Sequence, residues 1–242
     1  MDIILYLSNG YPTIEASIQM AKEYADAGCH IIEVDFPAKD PFLESKLIAD
    51  RMKHALEQCS DYDRYMDEII QIHKMLPDVK IVLLAYQETI KEIGVEKYIR
   101  FCKENGFTDL LMTGITPEGG IKEKLIEAGL SVTCYVQFQM LENEIQDALH
   151  SNGFVYMQAK PAPGQGYTNP KYPTLKDCIN GLREAGIDRP IYCGVGVHSP
   201  EDVKMVKEAG GDAAFVGSAI LNLQDDIPAM KERIKEFAAQ CE

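Results

Sequence analysis

Short apolar runs alternate with longer stretches of helical period along the whole chain, and this alternation constrains the fold more than any other feature. The runs are Ile3–Ser8, His30–Phe36, Val79–Ala85, Asp109–Gly114, Ser131–Val136, Phe154–Ala159, Ile191–Gly194 and Ala213–Gly217. Most are apolar throughout rather than alternating, as strands covered on both faces must be. Between them apolar residues recur at helical spacing. Ile14, Ile18, Ala21 and Ala25 are expected on one face, and Ile69, Ile72 and Leu76 on another. Glycine punctuates the helix-to-strand junctions at positions 28, 106, 129, 153, 186 and 210, where a left-handed helix terminator is the usual need. From Gly106 to Gly129, Gly129 to Gly153 and Gly186 to Gly210 the spacing is 23, 24 and 24 residues, the length of one strand and one helix. Ser199-Pro200-Glu201-Asp202 reads as a helix start, with Ser at the N-cap and Pro at the first helical position.

Eight βα units in 242 residues predict a single (β/α)8 barrel, residues 1–242 as one domain, with a doubly wound open sheet as the competitor. Functional side chains then belong at the C-terminal strand ends and in the βα loops. Two of those loops read as long, Pro37 to about Asp61 and Lys160–Pro173. The 24 Lys and Arg against 38 Asp and Glu leave a net charge of −14, which argues against nucleic acid and anionic membranes as partners. No apolar stretch reaches the roughly 18 residues of a membrane span, and the N-terminus lacks the features of a signal peptide. Seven scattered cysteines without a CxxC pair suit a reducing cytoplasm. The five histidines show no metal-ligand spacing, so no metal is expected.

Two regions carry chemistry. The seventh and eighth runs end in Gly194-Val195-Gly196-Val197 and Val216-Gly217-Ser218-Ala219-Ile220. Glycines at these two strand ends let backbone N–H groups approach a phosphate, and Ser218 adds a hydroxyl where a helix begins. One such turn alone would read as glycines that only turn strand into helix; two, at the seventh and eighth units, favour phosphate. The second run ends in Ile31-Ile32-Glu33-Val34-Asp35-Phe36-Pro37, where the period of two puts Glu33 and Asp35 on one face. Buried carboxylates are costly, and a desolvated Glu33 would be tuned toward general acid or base work. A salt-bridged strand end is the alternative, the lesser reading for Glu33 and an evenly balanced one for Asp35. Lys160 could form a Schiff base but stands before prolines as a loop residue would. His198 reads as an exposed helix-start residue, and Asp61–Glu68 as a solvated helix N-terminus.

Leu7-Ser8-Asn9-Gly10-Tyr11-Pro12-Thr13, followed by Ala27-Gly28-Cys29-His30-Ile31-Ile32-Glu33-Val34-Asp35-Phe36-Pro37-Ala38-Lys39-Asp40-Pro41, resembles the opening of the tryptophan synthase alpha subunits. Members show a Gly-Asp-Pro or Gly-Tyr-Pro turn, then Ala-Gly-Ala-Asp and Glu-Leu-Gly-Ile-Pro-Phe-Ser-Asp-Pro. Gly194-Val195-Gly196-Val197-His198-Ser199-Pro200-Glu201 and Val216-Gly217-Ser218-Ala219-Ile220 are similar to the family's C-terminal motifs. The chain begins almost at its first strand, so most of the helix that members carry before it is expected to be absent.

The resemblance implies a cofactor-independent lyase that cleaves indole-3-glycerol phosphate to indole and glyceraldehyde 3-phosphate beside a beta subunit. It implies Glu33 as the general acid/base, Tyr6 and Tyr86 as aromatic substrate contacts, and Gly194, Gly196, Gly217 and Ser218 as phosphate donors. Departures are specific. The aspartate that holds the indole N–H in Pro-Leu-Ala-Asp-Gly-Pro is replaced by Glu44, in Pro41-Phe42-Leu43-Glu44-Ser45-Lys46. Ser-Arg-Xaa-Gly-Val-Thr-Gly after strand 6 becomes Ala159-Lys160-Pro161-Ala162-Pro163-Gly164-Gln165-Gly166, and Gly114 stands for an aspartate after strand 4. Two further readings therefore stand beside the lyase. One is a divergent paralogue acting on another phosphorylated small molecule. The other is a catalytically weak barrel serving as allosteric partner of a beta subunit. Asp40-Pro41 favours a partner surface, because that pair lies on the family's beta-facing loop.

Overall fold

A computed structural model describes residues 1–116, 118–161 and 169–242. Along the chain run β1 (Asp2–Leu7), α1 (Ile14–Asp26), β2 (Ile31–Asp35), α2 (Lys46–Gln58), α3 (Tyr62–Met75), β3 (Lys80–Tyr86), α4 (Gln87–Ile93), α5 (Val95–Asn105), β4 (Asp109–Thr113), α6 (Ile121–Glu127) and β5 (Ser131–Val132). There follow β6 (Cys134–Val136), α7 (Glu142–His150), β7 (Val155–Gln158), α8 (Leu175–Glu184), β8 (Ile191–Gly194), α9 (Pro200–Ala209), β9 (Ala213–Val216), α10 (Ser218–Leu221) and α11 (Ile227–Ala239). The strands match the eight apolar runs to within a residue or two. The fifth run is the exception, because Thr133 interrupts it and splits it into β5 and β6.

The chain divides into two compact units. In residues 6–132, β2 pairs with β3, β3 with β4 and β4 with β5, all in parallel. Glu33 lies opposite Val82 and Asp35 opposite Leu84. Phe36, Tyr98, Phe101 and Phe107 form an aromatic cluster in its core. In the unit of residues 1–5 and 133–242, β1 pairs with β9, β9 with β8, β8 with β7 and β7 with β6, again all parallel. Phe154, Tyr156, Tyr192 and Phe215 pack their rings there.

Local chemistry explains the boundaries. Gly28, Gly106, Gly129, Gly186 and Gly210 all take positive φ, as their place after helices requires. Gly153 does not need to, because α7 ends on an extended Ser151. Ser199 and Asp202 close a capping box around Pro200 at the start of α9. Three expectations are corrected. The stretch from Pro37 to Asp61 is no open loop, since Ser45 caps α2 within it and Ile48, Met52 and Ala55 bury one face. On α1 the buried positions are Ser17, Ala21 and Tyr24, so the inward face is turned from the one marked by Ile14, Ile18 and Ala25. Glu68 is fully buried on the inner face of α3, where it accepts a hydrogen bond from the Ser17 hydroxyl, while Asp61 caps the helix. Five of the seven cysteines are buried and none is joined in a disulfide. Among the described residues no helix is long and apolar enough to cross a membrane.

Candidate active site

Within residues 6–132 the second strand delivers Glu33 and Asp35 to one face, both buried, at 7% and 1% exposure. They differ in their partners. The Tyr6 hydroxyl donates to Asp35 Oδ2 at 2.6 Å, and the Asn9 backbone N–H donates to Asp35 Oδ1 at 2.6 Å. Among the described residues no hydrogen bond or ion pair reaches the Glu33 carboxyl. Burial, together with the Glu44 and Asp35 charges, holds Glu33 well above the usual carboxylate range. Burial pushes Asp35 up to about 7, although its two donors act in the opposite direction.

Glu44 reaches the same neighbourhood from the segment after β2. A turn closed by the Glu44 N–H on the Pro41 carbonyl at 3.0 Å sets its backbone. The Leu43 N–H donates to the Tyr86 hydroxyl at 3.1 Å, and the Phe42 ring packs edge-on against Tyr86 at 5.6 Å. Tyr86 therefore pins the turn that carries Glu44. Burial pushes the Glu44 carboxyl up to about 7, and its charge is felt by Tyr6, Glu33, Asp35 and Tyr86. At the end of β4, Gly114 has φ +62, and a Cβ there would lie 3.1 Å from Tyr86 Cδ1. The aspartate of the resembling family has no comfortable place at this position.

Tyr6, Glu33, Asp35, Glu44 and Tyr86 thus form one cluster. Buried proton-binding carboxyls of different hydrogen-bonding status, beside a tyrosine, can exchange protons with a bound molecule near neutral pH. Sequence reasoning left Asp35 evenly balanced and did not see its clamp. Its place two residues after Glu33, where the family motif has glycine, was the available signal. The Ser17–Glu68 pair had no signal, because Glu68 sits in an acid-rich run that reads as solvated.

The phosphate candidates belong to the other unit. Gly194 ends β8, and a Cβ there would come within 2.1 Å of the Tyr156 hydroxyl, so packing alone requires glycine. Gly196 has φ +95, and a Cβ there would stand 3.0 Å from Lys160 Cβ. Between them Val195 takes φ +58, a costly conformation for a β-branched residue and one characteristic of functional loops. Gly217 caps the four-residue helix α10 that Ser218 begins, and both are half-buried. The Lys160 ammonium is paired with Asp202, whose carboxyl is held low by that contact and by the His198 and Ser199 N–H groups. An ammonium so engaged is no free nucleophile. His198 is exposed, as a helix-start residue should be. Ala162, Pro163, Gly164, Gln165 and Gly166, in the altered strand-6 loop, lie outside the described residues. Among the described residues no group of three or more His, Cys, Asp or Glu is arranged to hold a metal ion.

Comparison with known proteins adds four findings. The family model "Tryptophan synthase alpha chain" matches residues 1–242. The tryptophan synthase alpha chain of Methanosarcina mazei is 27% identical over 241 residues, covering 98% of this chain and 86% of that one. Among solved structures, a protein of Aquifex aeolicus VF5 superposes with a TM-score of 0.86 at 24% identity, covering 99% of this chain and 92% of its own. A chain of Mycobacterium tuberculosis tryptophan synthase, in its aminoacrylate-bound form, gives 0.83 at 22% identity, with coverage of 100% and 93%. These likenesses establish the fold as the TIM-barrel-like α/β class that the βα alternation predicts.

Proposed function

This chain belongs to the tryptophan synthase alpha chain family, a lyase family of tryptophan biosynthesis, and from that premise we propose that Glu33 is its proton-transferring group. The family's reaction is the cleavage of indole-3-glycerol phosphate to indole and glyceraldehyde 3-phosphate. It is a retro-aldol reaction: the indole carbon bearing the side chain gains a proton, the side-chain hydroxyl loses one, and the bond between the two carbons breaks. The observation that carries our reading is the contrast on β2. Glu33 is buried and free of hydrogen bonds among the described residues, so its proton remains available to a substrate.

Glu44 receives the indole N–H from the turn that Tyr86 pins, and Tyr6 and Tyr86 contribute aromatic contacts. The glycerol phosphate binds the backbone N–H groups around Gly194, Gly196 and Gly217 and the Ser218 hydroxyl. Neutral donors of this kind are compatible with a chain of net charge −14. The chemistry calls on no cofactor, and cysteines without disulfides suit the cytoplasm.

Tryptophan synthase alpha chains partner with a beta subunit. For this chain the segment after Asp40-Pro41 is the proposed contact, because Phe42 and Leu43 stand 65% and 61% exposed there. Glu44 and Gly114, in place of two family aspartates, favour a second reading: a paralogue acting on another phosphorylated molecule. Indole release from indole-3-glycerol phosphate by the purified chain, with and without a beta subunit, separates them. Release by the chain alone supports the lyase. Release only with the beta subunit identifies a weak enzyme that depends on its partner. No release under either condition gives the lead to the paralogue.

A further inference from the structure

Asp35 has no part in the reaction as described above, yet it is built into the cluster with care. It shares a face of β2 with Glu33, is almost wholly buried, and occupies the place of a glycine in the motif Glu-Leu-Gly-Ile-Pro. Each of its oxygens already accepts a short hydrogen bond, one from the Tyr6 hydroxyl and one from the Asn9 N–H, both at 2.6 Å. Short bonds to both oxygens favour the carboxylate form. Glu33 has no such donor among the described residues.

Two desolvated carboxyls on one strand face cannot both ionise cheaply, so in the neutral range the pair holds one charge and one proton. Hydrogen bonding decides which group holds which. We propose that Asp35 is a positioning residue: clamped by Tyr6 and Asn9, it takes the negative charge of the pair and leaves the proton on Glu33. The inference rests on the reading of Glu33 as the proton-transferring group.

The neighbours act in the same sense. Tyr6 from β1 and Glu44 from the segment after β2 face both carboxyls electrostatically, and Glu68 and Tyr65 from α3 also interact with Asp35. Tyr86 from β3 interacts with Glu44. None of these groups is a cation, so none relieves the repulsion that keeps a proton on Glu33. The same clamp ties the end of β1 and the Asn9-Gly10 turn to β2, which fixes the Tyr6 ring against its strand neighbour.

The test is a carboxyl 13C NMR titration of the full chain carrying labelled Asp and Glu, with Glu33→Gln and Asp35→Asn identifying the two signals. In wild type Asp35 should ionise at lower pH than Glu33. In Asp35→Asn the Glu33 transition should fall by about one pH unit or more. Tyr6→Phe, which keeps both carboxyls, should raise the Asp35 transition, and it serves even if Asp35→Asn fails to fold. In kinetics, the limb of the kcat/KM profile that Glu33→Gln removes should move to lower pH in Asp35→Asn, with KM little changed. Glu33 ionising first in wild type overturns the inference, as does a Glu33 transition indifferent to Asp35→Asn or an Asp35 transition indifferent to Tyr6→Phe. Full activity of Glu33→Gln would instead defeat the proton-transfer reading, whatever order the titration gives.

Discussion

Glu44 is one methylene longer than the aspartate it replaces, and it sits on a turn whose backbone is fixed by Pro41 and Tyr86. A longer side chain on a fixed turn reaches a heterocycle N–H in a different pose. Glu44→Asp should therefore improve cleavage of indole-3-glycerol phosphate, mainly through a lower KM, while leaving the affinity for glycerol phosphate unchanged. Steady-state indole release checks it; a variant with higher KM would mean that Glu44 is matched to a different substrate. The same scale shows what a sequence discloses about a site. Glu33 was legible because a carboxylate in an apolar strand demands an explanation. The division of labour between Glu33 and Asp35 was not. It depends on which carboxyl meets the Tyr6 hydroxyl and the Asn9 N–H, and both partners are 26 or more residues away in sequence.

At the scale of elements, the turn of residues 41–46 hangs on a single hydroxyl. Tyr86→Phe keeps the ring packed on Phe42 but removes the acceptor for the Leu43 N–H. A lost hydrogen bond of this kind costs about 1 kcal/mol, about a fivefold effect. KM for the intact substrate should rise by that factor while inhibition by glycerol phosphate stays constant, and the turn should be cut faster in limited proteolysis. An unchanged KM would show that Tyr86 does not govern Glu44. Strand positions were readable because doubly covered strands are apolar throughout, and helix ends because Gly and Ser-Pro caps have few other uses. α2 was missed for a physical reason. It follows directly on a proline-rich turn, and Lys46, Asp50, Lys53 and Glu57 give it a mostly charged outer surface.

For the molecule as a whole, buried carboxyls set the response to pH. Burial raises Asp35 and Glu44 to about 7 and Glu68 to about 8, so the folded chain binds protons that the unfolded chain releases at lower pH. Their contribution to stability is fully present below the unfolded carboxylate range near 4 and is lost as pH rises through about 8. Urea unfolding should therefore give a higher midpoint at pH 5.5 than at pH 8.5. Glu68→Gln, which can still accept from Ser17, should narrow that difference. Equal narrowing by Glu232→Gln, at an exposed position that acts on none of these carboxyls, would point to overall net charge instead.

The central claim is that this chain breaks a carbon–carbon bond with a proton carried by Glu33. Single-turnover cleavage of indole-3-glycerol phosphate by wild type and Glu33→Gln, with glycerol phosphate affinity measured on the same samples, tests it most directly. The expected result is a loss of about 10²-fold to 10⁴-fold in rate with phosphate affinity nearly intact. Turnover of Glu33→Gln at the wild-type rate would contradict it.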